Sequence, residues 1–284
     1  MTVIDMYVSV IIPTFNEEKV IGECLTSLEK QSLTNFEVIV VDDGSTDSTL
    51  EILFSLQIKN YKLKIQEQSH NGPGEARNLG VKHAKGKILV FVDADMVFNE
   101  DFLERLVKPI VDGKSKGTFS KEEYVNNWDN VWARCWNINQ GIKGKKRLPD
   151  DYPDTQKVFR AILKSEFDRV GGFSGGGHYT DDYLSEKLGY EADVARGAIF
   201  YHKNPDSLSE VFIQSKWAAK REYKFGILGA LYSLLRSSLP VSFVFGLVKS
   251  ISNYQPLFLP FKVVYDIGTT LGILEYTVLK KGVK

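Results

Sequence analysis

The sequence predicts an α/β fold in which a mixed, mainly parallel sheet is flanked by helices and followed by C-terminal apolar helices. Two observations lead to this prediction. Strand-like and helix-like patterns alternate over the first hundred residues, as expected of two βαβ units, and polar or acidic clusters follow three of the predicted strands. The chain has 284 residues, of which 43% are hydrophobic, so it can bury a full core.

Short apolar runs define the strands, and amphipathic segments between them define the helices. Asn16 is expected to cap the first helix, whose apolar face includes Cys24. Leu53 and Phe54 are expected on the buried face of the second helix, and Pro73 suits the first turn of the third. The predicted strands lie at residues 7–12, 36–41, 62–66 and 88–92, and the second and third helices at about 47–56 and 73–84.

Charge is balanced overall but divided unevenly along the chain. Lys plus Arg and Asp plus Glu both number 36, which argues against a nucleic-acid-binding protein, whereas residues 207–284 hold ten basic and four acidic residues. The two cysteines are too few for a disulfide framework or a cysteine metal cluster. No basic segment precedes the first apolar run, so we expect no signal peptide and a catalytic part that faces the cytoplasm.

Polar residues collect where three of the predicted strands end. Ligands of open α/β sheets bind at this carboxyl edge, so the clusters predict a ligand site there. Any one of them alone could be a solvated turn or a helix cap. The residues are Asn16 and Glu17 after the first strand, Asp42 and Asp43 after the second, and Asp93 and Asp95 after the fourth.

Six motifs occur in a specific order and spacing. They are V-S-V-I-I-P-T-F-N-E (8–17), V-I-V-V-D-D-G-S-T-D (38–47), G-P-G-E-A-R-N (72–78), V-F-V-D-A-D (90–95), F-D-R-V-G-G-F (167–173) and T-D-D-Y-L (180–184). The set resembles the inverting family 2 glycosyltransferases of the GT-A fold, within the superfamily of dolichyl-phosphate mannose synthase. The resemblance implies a GT-A catalytic domain over residues 1–206 and a separate basic, apolar helical region over residues 207–284.

The resemblance implies that the chain binds a nucleotide diphosphate sugar. Pro13, Thr14 and Phe15 would line the nucleoside pocket, Glu17 would lie near the edge of the base, and Asp43 would accept a hydrogen bond from the base. Family members often have Tyr where this chain has Phe15, so a polar contact is lost while ring packing remains. Plain core packing is the alternative for Phe15.

The resemblance also implies a divalent cation, Mg²⁺ or Mn²⁺, because carboxylates alone would repel the donor diphosphate. Asp95 would be the direct metal ligand, with Asp93 as a second ligand nearer the ribose. Arg77 would approach the nucleotide as a planar donor. His202 resembles a position at which some GT-A enzymes supply a histidine to the cation or diphosphate, and a packed or capping histidine is the alternative.

Asp182 matches the general base of the family, which would accept the proton of an acceptor hydroxyl. Asp181 stands where the family more often has Glu. The alternative, a helix cap, fits Asp181 better than Asp182.

The C-terminal region has two apolar stretches, at 225–248 and 256–279. Twenty-four helical residues would reach roughly 36 Å, yet Arg236 and Pro240 lie near the middle of the first stretch. We therefore expect surface-lying helices or a shallow hairpin on the cytoplasmic face of the cell membrane. A soluble helical cap or the interface of a homodimer is the alternative.

A stripe of tryptophans lies upstream of this region, at positions 128, 132 and 136. Their spacing places them on one helix face, where core packing is favoured over a sugar platform or a membrane belt.

Together these features predict a metal-dependent inverting glycosyltransferase that moves one sugar from a UDP- or GDP-sugar to a hydroxyl of a lipid-linked saccharide or glycolipid. A polyprenyl-phosphate glycosyltransferase, such as a dolichyl-phosphate mannose synthase, is the first alternative, but its ionised phosphate acceptor needs no base such as Asp182. A nucleotidyltransferase would also use acidic residues and a divalent ion, and a non-catalytic nucleotide-binding membrane adaptor would keep the fold. The intact acidic set disfavours the adaptor.

Overall fold

The computed structural model describes residues 6–174 and 180–278, and the side chains of residues 180–183 lie outside that description. The chain divides into two compact units. The first comprises Met1–Tyr124 and Asp150–His202, and the second comprises Val125–Pro149 and Lys203–Lys284. Residues 125–149 thus belong with the C-terminal segment, and the sequence-based boundary at 206/207 stays a prediction.

An eight-stranded sheet forms the centre of the first unit within the described residues, in the order β3-β2-β1-β4-β9-β6-β10-β8, and a three-stranded sheet has the order β5-β11-β7. The strands are β1 (Val8–Thr14), β2 (Phe36–Asp42), β3 (Lys62–Glu67), β4 (Ile88–Phe91), β5 (Met96–Phe98), β6 (Gly117–Phe119), β7 (Glu123–Val125), β8 (Thr155–Gln156), β9 (Ala161–Leu163), β10 (Ala192–Val194) and β11 (Phe200–His202). Strands β1 to β4 run parallel, whereas β9 runs antiparallel to β4 and β6. The predicted mixed α/β class is confirmed.

Helices flank the sheet in the first unit and make up most of the second. The first unit contains α1 (Ile21–Glu29), α2 (Thr49–Ser55), α3 (Pro73–Lys82), α4 (Phe102–Val111), α6 (Lys164–Arg169) and α7 (Thr180–Leu188). The second contains α5 (Val131–Gln140), α8 (Leu208–Ala218), α9 (Gly226–Arg236), α10 (Leu239–Ser252) and α11 (Phe258–Thr277).

Side chains of the central strands alternate between two apolar layers, as the twofold period of a strand requires. On β1, Val10 and Ile12 belong to the layer that contains Leu25 of α1, whereas Ile11 belongs to the opposite layer with Phe91. Helix α3 lies close to β1, because a Cβ added at Gly80 would come within 2.6 Å of Ile11 Cγ2. This close packing fixes the helix against the sheet.

Two expectations about the first helices are wrong. Asn16 does not cap α1, because its Oδ1 accepts a hydrogen bond from the backbone N–H of Thr46 and its own N–H donates to Ser45 Oγ. Phe54 is 66% exposed, whereas Leu53 is buried as predicted. Helix α2 is only seven residues long, and the face that it buries carries Thr49 and Leu53, four residues apart.

The second unit has its own aromatic core. Phe258 and Phe261 of α11 are fully buried, and the Trp136 ring of α5 packs edge-on against Phe261 with ring centroids 6.4 Å apart. Trp132 packs against the same cluster, which fits core packing for these two residues. Trp128 precedes α5, so the three tryptophans do not share one helix.

The first apolar stretch is broken in the middle. Helices α9 and α10 meet at an angle of 58°, and Pro240 lies in the first turn of α10, where a missing N–H is tolerated. In the part of the chain that the structure describes, no single helix has the length and apolarity of a membrane span. The α9–α10 pair meets that requirement only when its two helices are taken together.

Candidate active site

Asp43 follows β2 and organises the loop before α3. Its Oδ1 accepts hydrogen bonds from the Gln68 side chain (2.7 Å) and the Asn71 backbone N–H (2.8 Å). Its Oδ2 accepts from the Gly72 N–H (2.8 Å) and lies 3.0 Å from Nδ1 of His70. A carboxylate has about four acceptor positions, so the three N–H donors and the nearby His70 ring leave little room for a further donor. A hydrogen bond from a base, as predicted for Asp43, would have to replace one of them.

Phe15 lies beside this loop rather than in the core. Its side chain is 39% exposed, and its ring centroid lies 4.2 Å from that of His70. Pro13 is half-buried and Thr14 is buried, with an Oγ1 that has no hydrogen-bond partner among the described residues. The backbone carbonyl of Thr14 accepts from the Asp43 N–H at 2.8 Å. The three residues predicted to line the nucleoside pocket therefore lie next to Asp43, and an exposed Phe15 leaves a ring face for a ligand.

Glu17 lies in a strongly acidic environment. Its backbone N–H donates to Thr49 Oγ1 at 2.8 Å, which holds it beside α2. Burial raises the pKa of its carboxyl group, and the charges of Asp95, Asp93 and Asp47 raise it further, to about 7. Glu17 therefore faces the same acidic edge as the Asp-x-Asp pair and binds its proton more tightly than an ordinary glutamate.

Asp93 is held by two arginines. Arg77 of α3 donates from Nη2 to Oδ1 at 2.9 Å, and Arg160 donates from Nη1 to Oδ2 at 3.0 Å. Desolvation alone would raise the pKa of Asp93, but the charges of Arg160, Arg77 and His202 outweigh it and hold the pKa well below its usual range. Both carboxylate oxygens thus accept hydrogen bonds from guanidinium groups. Metal ligation by Asp93 gains no support from this geometry and stays a prediction.

Asp95 lies beside His202, and both residues were predicted to bind the cation. Strand β11 pairs antiparallel with β5 so that His202 lies opposite Met96, the neighbour of Asp95. Nε2 of His202 lies 3.1 Å from Asp95 Oδ1, and Nδ1 lies 2.5 Å from Glu123 Oε1. Burial would lower the pKa of His202, but its hydrogen bonds to the two carboxylates raise it above its usual value. Asp95 is the accessible member of this group, with a side chain that is 47% exposed.

The chemistry of Asp95 and His202 suits Mg²⁺ or Mn²⁺ in the presence of a nucleotide. Among the described residues, no three His, Cys, Asp or Glu side chains form a ready metal cluster. Mg²⁺ in nucleotide sites, however, is held by one or two carboxylates together with substrate phosphates and water. A metal-binding histidine also typically donates its other N–H to a carboxylate, which is the role open to Glu123. The residues therefore fit a cation that arrives with its nucleotide.

Two of the residues above were not anticipated from sequence. Arg160 immediately precedes β9, and its carbonyl accepts the Phe91 N–H at 2.8 Å, so its position depends on an antiparallel strand with no sequence signal for its register. Glu123 belongs to the acidic pair of K-E-E-Y (121–124), and two adjacent acidic residues are only a weak indication of a functional site. Asp182 belongs to α7, but its side chain lies outside the described residues, and its role as general base stays a prediction.

The mixed sheet, with acidic residues gathered at the carboxyl ends of β1, β2 and β4, has the GT-A fold of solved glycosyltransferase structures. The family model of glycosyl transferase family 2 matches residues 9–171, more than half of the chain, and the protein belongs to this family. The resemblance predicted from the six motifs is confirmed.

Two similar curated proteins are named as poly(ribitol-phosphate) glycosyltransferases. The chain is 38% identical over 178 residues to poly(ribitol-phosphate) beta-glucosyltransferase of Bacillus spizizenii, a match that covers 57% of this chain and 26% of that protein. It is 47% identical over 102 residues to poly(ribitol-phosphate) beta-N-acetylglucosaminyltransferase TarS of Staphylococcus aureus, covering 35% of this chain and 18% of that protein. The matches thus span about a quarter or less of these relatives.

Solved structures share the fold over nearly the whole chain. TarS 1–349 of S. aureus in complex with UDP-GlcNAc superposes with a TM-score of 0.59 at 21% identity, covering 95% of this chain and 91% of that chain. Mannosyltransferase PcManGT of Pyrobaculum calidifontis in complex with GDP-Man and Mn²⁺ has a TM-score of 0.62 at 19% identity, covering 97% and 88%. At these identities the likeness establishes the fold.

Proposed function

We propose that this protein is a metal-dependent, inverting glycosyltransferase that moves one sugar from a UDP- or GDP-sugar to a hydroxyl of a lipid-linked saccharide or glycolipid. The single observation that carries the proposal is the convergence of Asp95 and His202 at the carboxyl edge of the sheet, 3.1 Å apart. The two residues come from segments more than a hundred positions apart. Family membership supports the reaction class. The pair offers ligands for a cation that would neutralise the diphosphate.

The nucleotide half of the donor would bind along the β1 and β2 ends. Pro13, Thr14 and Phe15 offer a partly exposed wall beside the loop that Asp43 holds in place. Two similar structures contain UDP-GlcNAc and GDP-Man, respectively, which supports a nucleotide-sugar donor but leaves both bases open. One structure with a bound UDP-sugar and one with a bound GDP-sugar therefore share this fold.

Asp95 and His202 would hold Mg²⁺ or Mn²⁺ against the donor diphosphate. The bound cation supplies Lewis-acid stabilisation of the charge that develops on the leaving diphosphate. Glu123 fixes the imidazole of His202, so that the ring presents Nε2 toward Asp95. Asp93 and its two arginines would lie near the same diphosphate.

Asp182 would accept the proton of the acceptor hydroxyl. The acceptor oxygen attacks the anomeric carbon from the face opposite the diphosphate, the bond to the diphosphate oxygen breaks, and the nucleoside diphosphate leaves. A single displacement of this kind inverts the anomeric configuration. A phosphate acceptor, as in the polyprenyl-phosphate glycosyltransferases, is already ionised and would not need this base.

An inverted packing pattern on α9 and α10 supports an acceptor at a membrane surface. The residues that these helices bury are small or polar, namely Ala230, Ser242, Gly246 and Ser250. Most of the side chains that they expose are apolar, namely Ile227, Leu228, Leu231, Tyr232, Leu235, Leu239, Val241, Phe243, Val244, Leu247, Val248 and Ile251, and Phe225 just before α9 is exposed as well. Helices that pack in lipid bury small residues in this way and turn apolar side chains outward. Arg221, Lys224, Arg236 and Lys249 add the positive charge that anionic lipid headgroups attract.

The reaction itself tests the proposal. The full chain is incubated with Mn²⁺, a panel of UDP- and GDP-sugars and membranes that carry lipid-linked saccharides. The nucleoside diphosphate and the sugar phosphate released into solution are then quantified. We expect acceptor-dependent release of a nucleoside diphosphate and a product of inverted anomeric configuration. With pyrophosphate added, formation of sugar phosphate and a nucleoside triphosphate would instead indicate a nucleotidyltransferase, and nucleotide binding without turnover would indicate the adaptor.

A further inference from the structure

Arg160 shares a carboxylate with Arg77 although the two residues come from different parts of the fold. Arg77 lies on α3 and is 9% exposed, whereas Arg160 precedes β9 and is 19% exposed. Each donates to a different oxygen of Asp93, at 2.9 and 3.0 Å. The carboxylate therefore bridges two guanidinium groups at the carboxyl end of β4.

The Arg160 side chain is restrained at both ends. Its backbone carbonyl accepts the Phe91 N–H at 2.8 Å, which fixes the residue beside the last residue of β4. Its guanidinium carbon lies 6.0 Å from the ring centroid of Phe200, a buried residue of β11. A guanidinium held by a carboxylate and packed on an aromatic ring loses little further entropy when a ligand arrives.

Asp95 and Asp93, two residues apart, have neighbours of different chemistry. Next to Asp95, His202 and Glu123 present nitrogen and oxygen atoms that suit a cation. Asp93 brings Arg77 and Arg160 together, and guanidinium groups are the side chains best suited to phosphate oxygens because their planar donors match the oxyanion. A diphosphate that binds a cation at Asp95 would therefore lie close to the guanidinium donors at Asp93.

We propose that Arg160 is a donor-binding residue whose guanidinium, held in place by Asp93, binds a phosphate oxygen of the nucleotide donor together with Arg77. In this assignment Asp93 orients two arginines rather than coordinating the metal. The inference rests on the proposed function, because it requires a nucleoside diphosphate in this site. The competing explanation is that Arg160 serves only to anchor Asp93.

Binding measurements separate these explanations. Calorimetric titrations with UDP and GDP, and with uridine and guanosine, are made in Mn²⁺ buffer on the wild type, Arg160→Gln, Asp93→Asn and the double variant. Arg169→Gln is the matched control, since Arg169 is half-exposed and pairs with Glu166 at 2.7 Å on the surface of α6. Circular dichroism and thermal melting check that each variant folds, and Arg160→Lys replaces Arg160→Gln if that variant does not.

One of the two nucleoside diphosphates is expected to bind the wild type. We expect Arg160→Gln to lower the affinity for that diphosphate by roughly 10- to 100-fold, as for loss of a charged hydrogen bond, and to leave the affinity for the matching nucleoside unchanged. Part of this loss should persist when Asp93 is already Asn, because Arg160 would still reach the phosphate although it is held less firmly. Unchanged diphosphate affinity, an equal loss for the nucleoside, or a loss that disappears in the Asp93→Asn background would overturn the inference. A wild type that binds neither nucleotide would refute the proposed function itself, and with it the assignment.

Discussion

Nε2 of His202 lies 3.1 Å from Oδ1 of Asp95, while Nδ1 of the same ring lies 2.5 Å from Glu123. If Nδ1 donates its proton to Glu123, the lone pair of Nε2 points at a carboxylate oxygen, and two acceptors face each other. Only a proton or a cation relieves that contact. Burial would lower the pKa of His202, but its hydrogen bonds to Asp95 and Glu123 raise it, so the imidazole holds a second proton more tightly than usual. When the nucleotide binds, a divalent cation would replace that proton between Nε2 and Asp95.

Glu123→Gln tests whether this carboxylate orients His202 for a metal. We expect Mn²⁺ affinity, measured by calorimetry with saturating nucleotide, to fall by about 10- to 100-fold, because the charged partner of Nδ1 is lost. Glu104→Gln, at an exposed position of α4 where Glu104 accepts from Ser32 Oγ, is the control. Equal Mn²⁺ affinity in Glu123→Gln and wild type would show that His202 does not depend on Glu123 to bind metal.

Glu17→Gln should remove a pH-dependent loss of stability. The Glu17 carboxyl has a pKa of about 7 in the folded protein against an ordinary 4.5, so stability is full below pH 4.5 and declines as the pH rises toward 7. In EDTA at pH 8 we expect the variant to melt about 2 to 4 °C above the wild type, and at pH 4.5 the two should melt together. A difference in Tm that does not change with pH would contradict this explanation.

Asp182→Asn distinguishes a hydroxyl acceptor from a phosphate acceptor. Loss of a general base should lower the transfer rate by roughly 10²- to 10⁴-fold while donor affinity stays within a few-fold of wild type. Initial-rate assays at saturating donor, combined with donor titrations, give the two quantities. Transfer near the wild-type rate would remove the hydroxyl mechanism and favour the polyprenyl-phosphate alternative.

Leu231→Asp combined with Phe243→Asp should weaken membrane binding through the α9–α10 surface. Both side chains are 55% exposed, and each aspartate replaces apolar area with a charge that anionic lipids repel. We expect most of the protein to leave the pellet in sedimentation with phosphatidylglycerol-containing vesicles. Phe54→Asp, at a 66% exposed aromatic position in the first unit, should sediment like the wild type. Unchanged sedimentation of the double variant would refute a lipid-facing α9–α10 surface, and a concentration-dependent change of mass would favour a dimer interface.

The long parallel strands could be predicted from sequence because continuous apolar runs bounded by polar turns carry their own signal. Strands β1 to β4 begin and end within two residues of the predicted bounds. The short strands β5 to β10, of two or three residues, have no such period and depend on tertiary pairing. The break between α9 and α10 had one local signal, Pro240, but Pro240 lies in the first turn of α10 rather than in the middle of a helix.

The candidate site could be predicted where a residue follows a long strand. Glu17, Asp43, Asp93 and Asp95 meet that condition, and the structure brings Asp95 and His202 together. Arg160 could not be predicted, because it reaches Asp93 through an antiparallel strand inserted beside β4. The environment of Asp43 could not be predicted either, since the backbone N–H groups that occupy its carboxylate belong to an irregular loop.

The proposed mechanism depends above all on a divalent cation that Asp95 and His202 hold against the donor diphosphate. Thermal melting of the wild type, Asp95→Asn and the surface control Asp112→Asn is measured with UDP- and GDP-sugars in Mn²⁺ or in EDTA; Asp112 pairs with Lys108 and Lys114 on the surface. We predict that one class of nucleotide sugar raises the Tm of the wild type and Asp112→Asn in Mn²⁺ but not in EDTA, and that Asp95→Asn shows no such rise. The same rise in Asp95→Asn, or an equal rise in EDTA, would contradict cation-dependent donor binding at this pair.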